Sequence, residues 1–443
     1  MKLLQASLQL TLQNAARHPY YIELWGSNVC HDVTRLGFLE CLDLLNYLPP
    51  TPKEALRSEL YPQPMPDDYI VAIGHTSGTT GIPINWCRTA SESRAALSIR
   101  MKEAETNLGM RRPTKAIGIR AYPPFHGVPN PPFDPSLDHT YFIDCAVFEE
   151  SAFERFKALL LQQFHMPGFE DRVSVLATSP QIFVPLTEGL IAAGISAEDL
   201  KVRRLEMFGG YLNAVFASFL TDYWKDTLFV NTYSMSEVQR GGVVCGKCGY
   251  IHFPPHIHPQ VVNLNDNAMI FQGEGLLAVT VLLPFGTAQP LIKYLNGDIM
   301  EIIDERMACC SAHVGGLRAR GRVATSTFLL DRGKKELLVA SHDMHDVFFH
   351  PAVHKMRVGL ANFGIDSLLG LSGNPCVASS RAVDVGSNLQ IKYQASRVFG
   401  QSAPDFRQRL IKQSRNLRRA LDRRRVGVDV SVVEQVSEVL LKS

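Results

Sequence analysis

Apolar and polar positions follow two rhythms along this chain. The opening stretch MKLLQASLQLTLQNAARH interleaves apolar residues with Gln, Asn and Ser, and it predicts an amphipathic helix rather than an export signal. Residues 1–68 continue in helical style, punctuated by YLPPTP and YPQPMPDD. From Tyr69 to about Asp304, strand-like runs (RVSVLATS, RLEMFGG, TLFVNTYS, LLAVTVLLPF) alternate with helical ones such as SAFERFKALLLQQF. That alternation predicts an α/β architecture with helices covering sheets. After GGLRARGR (315–322) the texture changes, and a smaller α+β unit is expected to the end. Within it, FRQRLIKQSRNLRRALDRRR (406–425) sets Leu410, Ser414, Leu417 and Leu421 on one helical face with cations elsewhere. Such a face is either a solvated side of a docked helix or a surface for an anionic acceptor.

Composition narrows the class without identifying a site. The chain has 443 residues, enough for two or three domains, with 46% hydrophobic and 20% charged residues. A net charge of +2 gives no global reason to expect nucleic acid or a membrane. No apolar run approaches the ~20 residues that a bilayer span needs. Nine cysteines, an odd number, point to a reducing compartment and to metal binding rather than disulfides. The expected location is the cytoplasm.

The chemistry begins at HTSGTTGIP, residues 75–83. A strand (69–74) leads into a loop of Thr76, Ser77, Gly78, Thr79, Thr80 and Gly81. Glycines permit close backbone approach, successive N–H groups form a concave anion nest, and the hydroxyls add donors. An ordinary Ser/Thr/Gly turn is the plain alternative. No Lys follows the second Gly, so this is not a Walker loop, and the spacing is not G-x-G-x-x-G. Downstream, FVNTYSMSEV (229–238) ends a strand in Tyr233, Ser236 and Glu237. EMFGGYLN (206–213) holds Phe208, Gly209, Gly210 and Tyr211. KYLNGDIMEI (293–302) holds Asp298, and RARGRVA holds Arg322.

In this order the segments resemble the adenylate-forming superfamily of acyl- and aryl-CoA synthetases, over roughly residues 65–355. The layout YSMSEV…GYIHFPPHIHPQVV resembles the phenylacetate–CoA ligase-like branch. The resemblance implies a large N-terminal adenylation domain, residues 1–322, and a small mobile C-terminal α+β domain, 323–443. It implies ATP and Mg²⁺, with residues 76–81 cradling phosphate, Gly209, Gly210 and Tyr211 beside the adenine, and Tyr233 bordering it. Ser236 would contact phosphate, Glu237 would hold Mg²⁺, Asp298 would receive the ribose hydroxyls, and Arg322 would mark the hinge. A Glu beside polyphosphate calls for a divalent ion, and Mg²⁺ favours one or two carboxylates plus phosphate oxygens. His126, Tyr122 and Phe208 are candidates for the acyl pocket, beside the Pro- and aromatic-rich AYPPFHGVPNPPF.

Cys245-x-x-Cys248 in a Gly-flanked knuckle, followed by His252, has the form of a zinc site. Cys309 and Cys310 complete the expected ligand set for structural Zn²⁺, with His252 able to replace one of the adjacent pair. The chain departs from the family at Ile82 and Ile84, where relatives carry a loop Lys, and Arg88 is one alternative source of charge. It departs again near the end, where only Lys442 stands where a catalytic Lys is expected. The implied activity is ATP-dependent activation of a small carboxylic acid to acyl-AMP, then transfer to CoA. Transfer to an acyl-carrier-protein thiol or an amine is the enzymatic alternative, and a degenerate nucleotide-binding relative is the other. A homodimer is left open.

Overall fold

The computed structural model describes residues 2–64, 67–75, 84–96, 115–122, 140–146, 152–238, 241–246, 248–303, 316–348, 355–356, 374–375, 377–379, 382–394 and 405–433. The chain divides into two compact units. One comprises 1–111, 125–138 and 233–319, the other 112–124, 139–232 and 320–443.

In the first unit the N-terminal segment is helical as its pattern predicts, over Lys2–Ala15, Pro19–Trp25, Ser27–Val33 and Phe38–Tyr47. Pro19 suits a first helical turn, where its missing N–H costs nothing, and the His18 ring accepts from Tyr20 N at 3.2 Å. These helices bury Leu8, Leu12, Tyr21, Trp25 and Leu45 in one core with Leu277, Val279, Ile292 and Tyr294. Polar groups pin the same contact. Thr11 Oγ1 accepts from Leu283 N at 2.9 Å, and Tyr21 Oη donates to Pro290 O at 2.9 Å. Lys293, fully buried with φ of 48°, donates through Nζ to the carbonyls of Leu48 (2.7 Å) and Asn46 (3.1 Å). A buried ammonium at a helix C-terminus meets carbonyls left without intrahelical partners.

The strands of this unit run in the order 257–262, 273–281, 294–303, 316–322, 251–252, 242–244. Strand 273–281 pairs antiparallel with both 257–262 and 294–303, and 251–252 pairs antiparallel with both 316–322 and 242–244. Here the expected alternation with helices fails. Antiparallel neighbours need only short turns, whereas parallel neighbours require a crossover, and the N-terminal helices supply the apolar cover. A separate hairpin pairs Ile70–His75 with Asn85–Thr89, one strand on each side of the Ser/Thr/Gly loop.

The second unit carries the α/β pattern. Strands 140–146, 115–122, 169–178, 204–208 and 228–233 lie side by side, all parallel. Helices Ala152–Leu161, Pro180–Ala192 and Ala214–Tyr223 contribute Phe156, Phe183 and Phe216 to its core. Val173, Val175, Leu176 and Ala177 are all buried in succession, the mark of a strand covered on both faces.

The unit continues through two three-stranded sheets and the helices Ser341–Phe348, Phe406–Gln413 and Arg415–Asp422. Leu410, Ser414 and Leu417 are buried as their spacing predicts, but the helix breaks at Ser414. The Ser414 hydroxyl caps the second helix and donates to Leu338 O at 3.2 Å, so it competes with the backbone ladder. Among the described residues, no helix is long and apolar enough to cross a membrane.

Candidate active site

The loop 76–83, with Thr76, Ser77, Gly78, Thr79, Thr80 and Gly81, lies outside the described residues, as do His126, Cys309, Cys310 and Lys442. The side chain of Tyr122 is likewise outside them, while its backbone ends the strand Lys115–Tyr122. The remaining candidates fall in three places.

In the first unit, Tyr233, Ser236, Glu237 and Asp298 come together. Asp298 owes its placement to a bulge. Ala278 pairs with Leu295 and Leu276 with Ile299, so three residues, Asn296–Asp298, lie opposite the single Leu277. Such an insertion re-aims a side chain, and Gly297 takes the left-handed φ of 87° that the bulge demands. The Asp298 carboxylate, only 7% exposed, accepts from the Tyr233 hydroxyl and, at 2.7 Å, from Asn296 Nδ2. Asn296 also donates to Tyr233 Oη at 3.0 Å and accepts from Asp298 N at 3.0 Å.

Four residues before Asp298 on the same strand, Tyr294 donates to Glu237 Oε1 at 2.6 Å. Both are buried, and burial, together with the adjacent Glu237 charge, drives the Tyr294 phenol far above its ordinary range. Tyr294 therefore keeps its proton and donates it to Glu237. Behind Tyr233 the chain returns so closely that a Cβ on Gly241 would lie 1.7 Å from Tyr233 O. Only glycine fits there. Arg88, on the strand that leaves the Ser/Thr/Gly loop, donates to the carbonyls of Ser236 and Glu237. Its terminal groups are thus committed to backbone rather than offered as the missing loop cation. Tyr294 and Asn296 escaped the sequence reading. The signal available was their position, four and two residues before Asp298 on a strand.

In the second unit, Phe208 ends a parallel strand, and Gly209, Gly210 and Tyr211 form the loop before the helix that Asn213 caps. Tyr211 is stacked on His342, with ring centroids 3.7 Å apart and an 11° tilt. Its hydroxyl donates to Asp346 Oδ1 at 3.0 Å. Gln413 donates to Asp346 Oδ2 at 3.0 Å, and the buried Asp343 pairs with Arg320 at 2.9 Å. Burial raises the Asp346 carboxyl to about 6 and lowers the His345 imidazole to about 4. Arg322 closes the strand Gly316–Arg322, and its N–H donates to Ser341 Oγ at 3.2 Å.

The knuckle forms as its sequence suggests. Cys245 N donates to Tyr250 O and Gly249 N to Cys245 O, both at 2.8 Å. The ligand atoms of Cys245, Cys248 and His252 lie within 4.8 Å of one another, and Cys248 Sγ is 3.6 Å from His252 Nε2. Around tetrahedral zinc, with Zn–S of about 2.3 Å and Zn–N of about 2.0 Å, ligand atoms sit roughly 3.5–3.8 Å apart. The donor types suit zinc, and the Cys248–His252 distance falls within that range.

No protein-family model matches the chain, and no curated protein does. Solved structures do match. An open conformation of 2-hydroxyisobutyryl-CoA ligase, in complex with 2-HIB-AMP and CoA, aligns over 100% of this chain and 90% of its own, with a TM-score of 0.61 at 15% identity. The same ligase in its postadenylation state gives 0.58 at 15% identity, over 100% and 87%. ATP-bound MatB from Rhodopseudomonas palustris gives 0.51 at 14% identity, over 83% of this chain and 64% of that one. At these identities the likeness is one of fold. The chain has the mixed α/β architecture of the adenylate-forming acyl-CoA ligases, with a smaller C-terminal region.

Proposed function

We propose that this protein activates a carboxylic acid with ATP and passes the acyl group to CoA. The observation that supports this reading most is the pairing of two buried carboxylates with two tyrosines, Asp298 with Tyr233 and Glu237 with Tyr294. They sit beside the hairpin that brackets T-S-G-T-T-G, in a chain with an acyl-CoA-ligase fold.

The donors of residues 76–81 hold the phosphates. Asp298 receives the ribose hydroxyls, held in place by Tyr233 and Asn296. Gly209, Gly210 and Tyr211 border the base. Glu237, aimed by Tyr294, holds Mg²⁺, which offsets phosphate charge when bound. A substrate carboxylate oxygen attacks the α-phosphorus, pyrophosphate leaves, and acyl-AMP remains. The CoA thiolate then attacks the acyl carbon and AMP leaves. His126, Tyr122 and Phe208 contact the acid. Residues 323–443 form the smaller domain that moves between the two steps about Arg322 and offers Lys442 to the reacting centre. Cys245, Cys248 and His252, joined by Cys309 or Cys310, hold a structural zinc.

The test is ATP–pyrophosphate exchange against a panel of carboxylic acids, for the wild type and Glu237→Gln. Exchange with at least one acid, lost in the variant while its thermal unfolding is unchanged, supports the reading. Unchanged exchange in the variant removes Glu237 from the metal. Thioester formation with CoA, against a carrier-protein thiol or an amine, then identifies the acceptor.

A further inference from the structure

Arg88 is half-buried, and among the described residues its guanidinium donates to backbone carbonyls. Nη1 donates to Cys87 O at 2.8 Å, and Nη2 donates to Ser236 O at 3.1 Å and Glu237 O at 2.8 Å. Strand alternation puts Trp86 and Arg88 on one face, and the guanidinium carbon lies 4.5 Å from the centre of the Trp86 ring. Burying an always-charged group against carbonyls is costly unless its donors are met. Here an indole face supports it from one side and backbone dipoles receive it on the other.

The loop it holds is the one that matters to the proposed chemistry. Glu237 is gripped at both ends, its carbonyl by Arg88 at 2.8 Å and its carboxylate by Tyr294 at 2.6 Å. Between them Val238 N closes a turn on Met235 O at 3.2 Å. The strand that carries Arg88, Asn85–Thr89, begins two residues after the T-S-G-T-T-G-I-P segment. A single side chain therefore ties the exit of the phosphate loop to the backbone of the proposed metal-binding carboxylate.

We propose that Arg88 is a positioning residue, which fixes the Ser236–Glu237 backbone relative to the strand Asn85–Thr89 and so places Glu237 for Mg²⁺. This rests on the adenylation reading for its catalytic consequence, but not for the clamp itself. Arginine suits this role because its planar fork reaches Cys87 O through Nη1 and the Ser236 and Glu237 carbonyls through Nη2, two separated points that a single lysine ammonium does not bridge in the same geometry.

The experiment compares wild type, Arg88→Met and Arg88→Lys in two ways. Hydrogen exchange reads the peptide that contains Val238. At least tenfold faster exchange in Arg88→Met and an intermediate value in Arg88→Lys are expected, with the helix Lys2–Ala15 unchanged. Pyrophosphate exchange reads the Mg²⁺ concentration at half-maximal rate. It is expected to rise at least tenfold in Arg88→Met while the KM for the acid stays within twofold. If Arg88→Met does not fold, Arg88→Lys carries both measurements. Exchange at Val238 equal to wild type, or a lowered melting temperature with an unmoved Mg²⁺ midpoint, overturns the proposal. A wild type without pyrophosphate exchange on any acid sinks the adenylation reading instead, and hydrogen exchange still decides the clamp.

Discussion

Two neighbouring residues in the second unit titrate in opposite senses, and their effects on stability should cancel until one is removed. Burial holds Asp346 at about 6 against an ordinary value of 3.8. Its native pKa lies above the unfolded one, so its stabilising contribution is full below the unfolded pKa and is lost as pH rises through 6. Burial holds His345 at about 4 against 6.5. Its native pKa lies below the unfolded one, so its contribution is full above 6.5 and is lost as pH falls toward 4. The shifts are 6 − 3.8, about two units, and 6.5 − 4, about two and a half. At ~1.36 kcal/mol per unit, each is worth about 3 kcal/mol.

Between pH 7 and 4 the wild type therefore gains from Asp346 roughly what it loses to His345. Asp346→Asn keeps an acceptor for the Tyr211 hydroxyl, which bonds Oδ1 at 3.0 Å, and removes the acid's titration. On acidification the variant should lose about 3 kcal/mol relative to wild type, or roughly 6–12 °C in melting temperature for a domain of this size. The assay is thermal unfolding at half-unit pH steps for wild type, Asp346→Asn and His345→Gln. Differences between curves cancel every other titrating group. Wild type minus Asp346→Asn should climb as pH falls from 7 to 4, and wild type minus His345→Gln should fall. Parallel curves for all three proteins would refute the burial argument for this cluster.

Other outcomes follow from the first unit. Asp298→Ala should weaken ATP binding by about one to several powers of ten, because hydrogen bonds to a charged acceptor are worth about 1.5–3 kcal/mol each. Calorimetric titration checks this, and equal affinities would make Asp298 an ordinary bulge residue. Protein purified without chelator should carry about one zinc per chain, and Cys248→Ser should lower both metal content and melting temperature. Elemental analysis that finds no metal would dismiss the site. Gly241→Ala should cost at least about 3 kcal/mol, at the upper end for single substitutions, because the new methyl falls 1.7 Å from a carbonyl oxygen that cannot move freely. Urea midpoints of the two proteins measure it.

The parts of this molecule legible in its sequence are those whose meaning is local. The helical lead-in announces itself through periodicity and through Pro19 at a first turn. Glu237 and Asp298 stand out because the short segments that hold them, YSMSEV and KYLNGDIMEI, resemble family motifs in their expected order. What escaped is decided by partners far away in the chain. Tyr294 reads as one more apolar strand residue until Glu237, 57 positions earlier, meets its hydroxyl. Arg88 reads as a spare cation until the carbonyls of 236 and 237 claim its donors. The antiparallel direction of the run from 242 onward is not legible locally, since apolar strands look alike whichever way their neighbours run. Asn296-Gly297-Asp298 makes the point most sharply. Asn-Gly is the strongest short-range signal for a hairpin turn, and here the strand runs straight through it to Ile303. The left-handed glycine that would close a turn instead opens a bulge, because Leu277 across the ladder holds its place and Tyr233 and Asn296 hold the displaced carboxylate. The local preference is satisfied in both cases, and the long-range pairing chooses between them.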